Sequence, residues 1–282
     1  MTSEVILVTG ATGFLGPYLL DEAARHGRAL GAARRSGTDL QFDLMDRDAT
    51  TAAVSRIHPV VAIHAAAWTD VDACEREPDV AEAMHVCATR NLVAGLPDDC
   101  LLVYISTDQV YADSPGPHAE AAEAPVNAYG RTKLAGEREA RRHPRTLVLR
   151  SNLFGPSRTP SRASLSDVIV AKLSLGEPMT LFCDLKFSPL HVGTLAKLVC
   201  ELALSGTTGV YNLGCRDGVS KRDFALFVAQ HLGLDTRSTT DGCSTSLPGR
   251  APRARDLRLN VNRLEARLGR PMPTLGEEIA KL

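Results

Sequence analysis

Short runs of aliphatic and β-branched residues alternate with longer amphipathic segments through the first half of the chain. The short runs predict strands, and apolar residues recurring every three or four positions predict helices between them. This alternation is typical of βαβ units with parallel strands and right-handed crossovers. Strands are predicted at residues 5–9, 29–33, 60–64, 101–105 and 146–149, and helices at 15–26, 48–56, 79–94 and 129–142.

The pattern loosens after residue 149, where Gly155 and Pro156 begin a loop and prolines separate shorter elements. Further helices are predicted at 190–204 and 221–231. We therefore predict an α/β fold: a Rossmann-type doubly wound parallel sheet in residues 1–150 and a smaller α/β substrate lobe in 151–282. The helix at 190–204 is expected to return to the first domain.

Composition narrows the range of partners. The 282 residues include 32 Lys and Arg against 33 Asp and Glu, a net charge of −1 that favours neither nucleic acid nor a membrane surface. Seven scattered cysteines are typical of reduced thiols, so we expect a cytoplasmic protein. No apolar stretch reaches the length of about 18 residues that a membrane span needs. The eight histidines lack metal-ligand spacing, and no metal site is expected.

Three glycines follow the first predicted strand and precede the first predicted helix. Glycine permits a tight turn there and lets backbone N–H groups approach a pyrophosphate, whose charge a helix N-terminus stabilises. An ordinary strand-to-helix turn is the alternative, but the order of strand, glycines and helix favours a dinucleotide site. Its predicted cofactor-binding residues are Gly10, Thr12, Gly13, Phe14, Leu15 and Gly16.

The second predicted strand ends near Arg34 and Arg35, where the adenosine ribose of a dinucleotide would lie. An acidic residue there would bind two ribose hydroxyls, whereas arginine accommodates a 2′-phosphate, so NADP is favoured over NAD. A solvated arginine pair is the alternative. Asp43 and Leu44 are candidate adenine contacts, although a loop cap explains Asp43 equally well.

Tyr129 and Lys133 lie four residues apart on a predicted helix, so their side chains share a face. A phenol with a pKa of about 10 is a poor acid at neutral pH, but a nearby ammonium stabilises its phenolate. Ser106 and Thr107 end the fourth predicted strand, where a hydroxyl could orient a carbonyl. Each feature alone has a structural explanation; their conjunction predicts a catalytic group of Thr107, Tyr129 and Lys133.

These segments together resemble the extended short-chain dehydrogenases/reductases, and most closely the dTDP-4-dehydrorhamnose reductase family. The similarity rests on residues 9–16, 65–78, 106–111, 129–137 and 209–214, and extends over nearly the whole chain. It implies Thr107, Tyr129 and Lys133 as the catalytic triad, with Tyr129 and Lys133 also binding the cofactor, and a nucleotide-activated sugar as substrate. It also implies that the segment after the third predicted strand lines the nicotinamide and substrate, through Ala65, Ala66, Ala67 and Trp68.

Four other residues are candidate substrate contacts. Asp108 and Gln109 follow the strand hydroxyl, where related dehydratases carry an Asp-Glu pair; glutamine cannot transfer a proton, so dehydration is disfavoured. Asp108 contacts substrate hydroxyls or caps the loop. Asn152 resembles a sugar contact of the family, and Arg255 is chosen from a basic run that could bind a diphosphate or be solvated.

The sequence thus predicts an NAD(P)-dependent oxidoreductase that reduces a keto group, in particular the 4-keto group of a nucleotide-linked deoxysugar. One alternative is a sugar-nucleotide epimerase of the same family. Another is a non-catalytic NADP-binding regulatory subunit, because a fold can persist without its chemistry. The sequence leaves a homodimer open.

Overall fold

The computed structural model describes residues 4–34, 37–160, 162–244 and 249–282. It divides the chain into two compact units. The first comprises the described residues of Met1–Thr107, Asn127–Leu149 and Ala196–Val210, and the second those of Asp108–Val126, Arg150–Leu195 and Tyr211–Leu282. Residues 108–126, which precede the end of the predicted first domain, therefore group with the second unit.

The elements of the described residues are numbered along the chain. The strands are β1 (Val5–Thr9), β2 (Arg28–Ala33), β3 (Leu40–Gln41), β4 (Val61–His64), β5 (Leu101–Thr107), β6 (Thr146–Ser151), β7 (Leu153–Phe154), β8 (Met179–Phe182), β9 (Lys186–Phe187), β10 (Leu190–His191), β11 (Gly209–Leu213), β12 (Val219–Ser220), β13 (Thr239–Gly242) and β14 (Asp256–Leu257). The helices are α1 (Gly16–Ala23), α2 (Arg47–Ile57), α3 (Val71–Arg76), α4 (Pro78–Glu82), α5 (Ala88–Gly95), α6 (Ala128–Ala140), α7 (Leu165–Ser174), α8 (Val192–Leu204), α9 (Lys221–Leu232), α10 (Asn262–Leu268) and α11 (Leu275–Ile279).

A seven-stranded sheet has the order β11-β6-β5-β4-β1-β2-β3. The pairings of β1 with β2 and β4, of β2 with β3, and of β4 with β5 are parallel. Successive strands run outward in opposite directions from β1, which creates the topological switch point where doubly wound sheets bind ligands. The Rossmann-type prediction and its five strands are confirmed, and β3 and β11 complete the two edges.

The core of the first unit consists of aliphatic side chains from the sheet and from α2 and α5. Leu7 of β1, Leu102 of β5, Val54 of α2 and Leu92 of α5 are completely buried in one cluster. Each such side chain contributes about 1.5–3 kcal/mol relative to an exposed one. This packing holds the carboxyl ends of the central strands in fixed positions.

The predicted helix at 79–94 is wrong as a single α-helix, because α4 and α5 are joined by a π-helical turn at Ala83–Cys87. The Ala88 N–H bonds the Ala83 carbonyl, five residues earlier. The Thr89 hydroxyl donates to the His85 carbonyl at 2.6 Å, a side-chain bond back to the turn four residues earlier. Gly136 of α6 packs close to this turn: a Cβ there would lie 2.6 Å from the His85 carbonyl oxygen.

The described residues of the second unit form three small sheets: β12-β9-β14, β10-β7 and β13-β8. Phe154, Phe187 and Phe224 form its aromatic core, with ring centroids 4.9 and 5.4 Å apart in edge-to-face contacts. Arg150 is fully buried, donates to Glu120 O at 2.6 Å and forms an ion pair with Glu123. The helix predicted at 190–204 begins two residues later, because β10 pairs with β7.

Candidate active site

The glycine loop lies against the segment that follows β4. Gly10 has a φ of 71°, and a Cβ on it would lie 2.6 Å from the Ala66 nitrogen and 2.8 Å from the Ala65 carbonyl carbon. A Cβ on Gly16 would lie 2.4 Å from the Gly10 carbonyl oxygen. Only glycine fits both positions. The loop backbone at these two residues is therefore not covered by a side chain of its own at the switch point.

Helix α1 begins directly after this loop. Its N-cap is Leu15, whose side chain has no oxygen to accept from the first N–H groups, and Pro17 follows in the first turn. Thr12 is exposed, Gly13 and Phe14 are half-buried, and the Gly13 N–H donates to Gly10 O at 2.9 Å. The backbone of the glycine loop and the N-terminus of α1 fit a pyrophosphate, because backbone N–H groups and the helix dipole stabilise its negative charge.

The predicted ribose and adenine contacts lie around β2 and β3. Arg34 is exposed directly after β2, while Arg35 lies outside the described residues. Asp43 is half-buried, and its carboxylate accepts the Met45 N–H at 3.0 Å, the loop cap foreseen as its alternative role. The Leu44 carbonyl accepts from Asn91 Nδ2 at 2.8 Å.

Helix α6 carries the predicted proton-transfer pair. Asn127 caps the helix by accepting the Gly130 N–H at 2.8 Å, which fixes where the first turn begins. Tyr129 and Lys133 are 8% and 2% exposed. Lys133 Nζ donates to the Ile105 carbonyl of β5 at 2.7 Å. Thr107, 6% exposed, ends the same strand two residues later, since β5 is longer than predicted.

The Lys133 side chain is buried away from solvent. Its Nζ lies 4.2 Å from the centroid of the Tyr104 ring. Burial lowers the pKa of Lys133 to about 7, and the Glu137 carboxylate opposes that shift. Glu137 lies one turn further along α6 and accepts from the Ser106 hydroxyl at 2.5 Å. Its spacing from Tyr129 and Lys133 was visible in the sequence, but its burial against β5 was not.

Two buried histidines link the sheet to α6. The Thr89 hydroxyl donates to His85 O, so it accepts from His64 Nε2 at 3.1 Å, and His64 Nδ1 accepts from Thr9 at 2.7 Å. Burial, then the charge of Lys133, lowers the pKa of both histidines to about 3. They are therefore neutral at pH 7 and add no positive charge beside Lys133.

His85 connects Tyr129 to Trp68. The Thr132 hydroxyl donates to Ala128 O, so it accepts from His85 Nδ1 at 2.8 Å, which leaves Nε2 to accept the Trp68 N–H at 3.1 Å. The His85 and Tyr129 rings meet edge to face at 5.6 Å. Trp68 also packs against the cluster that includes Tyr129 and Cys74. No sequence motif indicated His85, because its position depends on the π turn.

The other predicted substrate contacts belong to the second unit. Asp108 is 1% exposed and accepts from Asn152 Nδ2 at 2.8 Å and, more weakly, from Gln109 Nε2 at 3.5 Å. Burial lowers the pKa of Lys221, at the start of α9, and the Asp108 charge opposes this shift. Lys221 was not among the site residues predicted from the sequence. Arg255 is exposed, and its Nε lies 3.2 Å from an Asp113 carboxylate oxygen.

Within the described ranges, no group of three or more His, Cys, Asp or Glu residues is arranged to hold a metal ion. No helix in the described part of the chain is long and apolar enough to cross a membrane.

The strand, glycine loop and helix at the switch point, together with Tyr129 and Lys133 on the helix packed against β5, place this protein among the short-chain dehydrogenases/reductases. More narrowly, the chain belongs to the family described as RmlD substrate binding domain, which matches residues 4–282. The resemblance inferred from the sequence is thereby confirmed.

Relatives of this chain cover most of its length. It is 29% identical over 287 residues to the probable low-salt glycan biosynthesis reductase Agl14 of Haloferax volcanii, covering 98% of this chain and 96% of that protein. It is 31% identical over 264 residues to dTDP-4-dehydrorhamnose reductase of Mycobacterium tuberculosis, covering 89% and 83%. It is 30% identical over 274 residues to methionine adenosyltransferase 2 subunit beta of Danio rerio, covering 92% and 84%.

Solved structures share the fold. The crystal structure of dTDP-4-dehydrorhamnose reductase from Bacillus anthracis in complex with NADP superposes with a TM-score of 0.89. The match covers 99% of this chain and 98% of that one at 23% identity.

Proposed function

We propose that this protein is an NADPH-dependent reductase of a keto group, in particular the 4-keto group of a nucleotide-linked deoxysugar. One observation carries the proposal: the Lys133 ammonium is buried one helical turn from Tyr129 and bonded to the strand that ends in Thr107. A lysine with a purely structural role would gain little from this buried position, because removing a charged ammonium from water is unfavourable in free energy. Its placement is explained by a task that needs a cation beside a phenol.

The residues of the first unit fit a nicotinamide dinucleotide. The bare loop at Gly10 and Gly16 and the N-terminus of α1 would hold the pyrophosphate, and Arg34 would contact a 2′-phosphate. Asp43, Leu44 and the segment 65–67 would contact the adenine and nicotinamide ends. When bound, this cofactor supplies the hydride. The NADP bound to the Bacillus anthracis relative supports the choice of NADP.

Each catalytic side chain has a separate task. The Tyr129 hydroxyl gives its proton to the carbonyl oxygen of the substrate, and Lys133 stabilises the phenolate that remains. The Thr107 hydroxyl donates a hydrogen bond to the same oxygen and orients the carbonyl. The neutral His85 packs against the Tyr129 ring and holds it without adding charge.

The substrate class is proposed from the relatives, two of which are named as reductases and one specifically as a dTDP-4-dehydrorhamnose reductase. Asp108, held by Asn152, is the proposed acceptor for sugar hydroxyls. Gln109 cannot act as the acid or base that dehydration needs, which supports reduction. Trp68 and Arg255 remain predicted contacts of the sugar and the diphosphate.

The alternatives remain distinguishable. An epimerase of this fold would use the same triad but consume no cofactor overall. A regulatory subunit is not favoured, because this chain keeps Thr107, Tyr129 and Lys133, although the Danio rerio relative is named as a subunit of a methionine adenosyltransferase.

The proposal is tested by measuring nicotinamide absorbance with a panel of nucleotide-linked 4-keto sugars, each with NADPH and with NADH. We expect stoichiometric oxidation of NADPH with at least one sugar, and formation of the corresponding alcohol. Isomerisation of a sugar without net oxidation would identify an epimerase instead. Absence of turnover on the whole panel, despite NADPH binding, would contradict a catalytic role on this substrate class.

A further inference from the structure

Two cysteines lie side by side at the end of a strand pair in the second unit. β8 and β13 are parallel, with Phe182 opposite Gly242, and Cys183 and Cys243 are the next residues of the two strands. The Cys183 N–H donates to the Gly242 carbonyl at 3.1 Å, which extends the ladder by one bond. The two cysteines are therefore neighbours across the strand pair, although Cys183 and the residue before Cys243, Gly242, are 59 positions apart in the chain.

The two thiols also contact each other. A side-chain hydrogen bond joins Cys183 and Cys243, and Cys183 Sγ lies 3.4 Å from Gly242 O. Neighbouring strands lie about 4.8 Å apart. A disulfide needs about 4.4–6.8 Å between Cα atoms. A bond between these sulfurs therefore requires little movement of the backbone.

Hydrogen bonds just beyond the cysteines keep them together. The Asp184 carboxylate accepts the Ser244 N–H at 3.0 Å and the Ser244 hydroxyl at 2.7 Å. Asp184, which follows Cys183, is thus hydrogen-bonded to Ser244, which follows Cys243. Such anchoring on both sides lowers the entropy cost of bringing the two sulfurs together.

Solvent reaches this pair more readily than the other thiols. Cys183 and Cys243 are exposed, Cys87 is half-buried, and the remaining four cysteines are buried. Cys183 also lines a cavity of about 460 Å³ that Lys186, Arg222 and Arg258 help to form. A small oxidant can therefore approach the Cys183 sulfur from this cavity.

We propose that Cys183 and Cys243 form a reversible intramolecular disulfide by exchange with a small-molecule disulfide such as oxidised glutathione. The Cys183 thiolate attacks one glutathione sulfur, and the first glutathione leaves as a thiolate. The Cys243 thiol then loses its proton and its sulfur attacks Cys183 Sγ, which releases the second glutathione. Two protein thiols are oxidised, and one glutathione disulfide is reduced to two thiols.

The order of attack follows from the cavity, which Cys183 lines, and from the surroundings of Cys243. Its hydrogen bond with Cys183, the negative charge that Cys183 carries once ionised, and the Asp184 carboxylate raise the pKa of the Cys243 thiol. Its thiolate is disfavoured, which makes Cys243 the poorer first nucleophile and suits it to the second, intramolecular step.

The test is mass spectrometry of the intact full-length protein after equilibration with about 1 mM each of reduced and oxidised glutathione. The parent is expected to become lighter by two hydrogen atoms, with residues 183 and 243 in one cross-linked peptide after digestion. Dithiothreitol should restore the original mass. Cys183→Ser and Cys243→Ser cannot complete the second step, so each should instead gain one glutathione.

Cys87→Ser is the matched control and should behave like the parent, because Cys87 lies outside the pair. A parent that stays reduced, that accumulates glutathione without the internal bond, or that cross-links two chains on a non-reducing gel would overturn the proposal. Because the readout is mass and not turnover, its result is independent of the proposed reductase activity.

Discussion

Lys133 is the residue in which burial and charge compete most directly. Burial lowers its pKa to about 7, and without the Glu137 carboxylate the pKa would be lower still. Burial raises the pKa of Tyr104 of β5 above its ordinary value, so Tyr104 is neutral near pH 7, and the low pKa values of His64 and His85 keep them uncharged as well. Glu137 is therefore a negatively charged neighbour that favours the protonated form of Lys133, and in the proposed reaction it acts only through Lys133.

Glu137→Gln should shift the pH dependence of turnover. If the ammonium form is the active one, the rate falls as pH rises through the Lys133 pKa. Removing the carboxylate charge lowers that pKa, so the falling limb of the kcat profile should move toward lower pH by about one unit. The measurement is kcat between pH 5 and pH 9. A purely structural role of Glu137 would lower kcat without shifting the falling limb of the pH profile.

Glu139→Gln provides the control for this shift. Glu139 lies on the same helix but pairs with Arg90 and Arg142. Its profile should match that of the parent. An unchanged limb in Glu137→Gln, or an equal shift in both variants, would disprove the role given to Glu137.

At the scale of elements, the proposed cofactor site depends on the close approach of the glycine loop to the segment after β4. Gly10→Ala would combine a left-handed backbone conformation with a Cβ 2.6 Å from the Ala66 nitrogen. Gly176 has a similar φ of 65° but nothing within 4 Å of its Cβ position, so it isolates the backbone cost.

We expect Gly176→Ala to lower the free energy of unfolding by about 1 kcal/mol and to leave NADPH affinity unchanged. Gly10→Ala should lose more stability and weaken NADPH binding by at least about tenfold, because the loop must move away from residue 66. Calorimetric titration with NADPH and denaturant unfolding measure both quantities. Equal effects of the two substitutions would refute the steric account.

The hydrogen-bonded row Thr9, His64, Thr89 and His85 joins β1, β4 and the π turn. The two histidines have pKa values of about 3 in the folded protein, below the value of 6.5 expected for an unfolded chain. The unfolded state therefore binds more protons below pH 6.5. Their contribution to stability is complete above that pH and is lost as pH falls toward 3.

Between pH 7.5 and pH 5 the free energy of unfolding should therefore fall by about 2 kcal/mol for each of these histidines. Urea unfolding at the two pH values measures this loss. His26→Gln, which removes an exposed histidine, should show the same loss as the parent. If the free energy of unfolding were the same at pH 7.5 and pH 5, protonation of the two histidines would not destabilise the fold, and this account would be contradicted.

At the scale of the whole molecule, local patterns determined what the sequence could predict. The central strands, the glycine loop and the Tyr129–Lys133 pair follow from hydrophobic periodicity and short motifs, and the structure confirms their elements. The π turn, the burial of Glu137 and the position of His85 depend on packing between distant segments, which periodicity does not encode. The neighbouring positions of Cys183 and Cys243 likewise arise only when β8 pairs with β13.

The central claim is that Tyr129 donates the proton that accompanies hydride transfer. The most direct measurement compares Tyr129→Phe with the parent, using NADPH and the most active keto sugar nucleotide of the panel. Turnover should fall by about 10²–10⁴-fold while the Kd for NADPH stays the same, because only the hydroxyl is removed. A variant that keeps most of its rate would contradict the account.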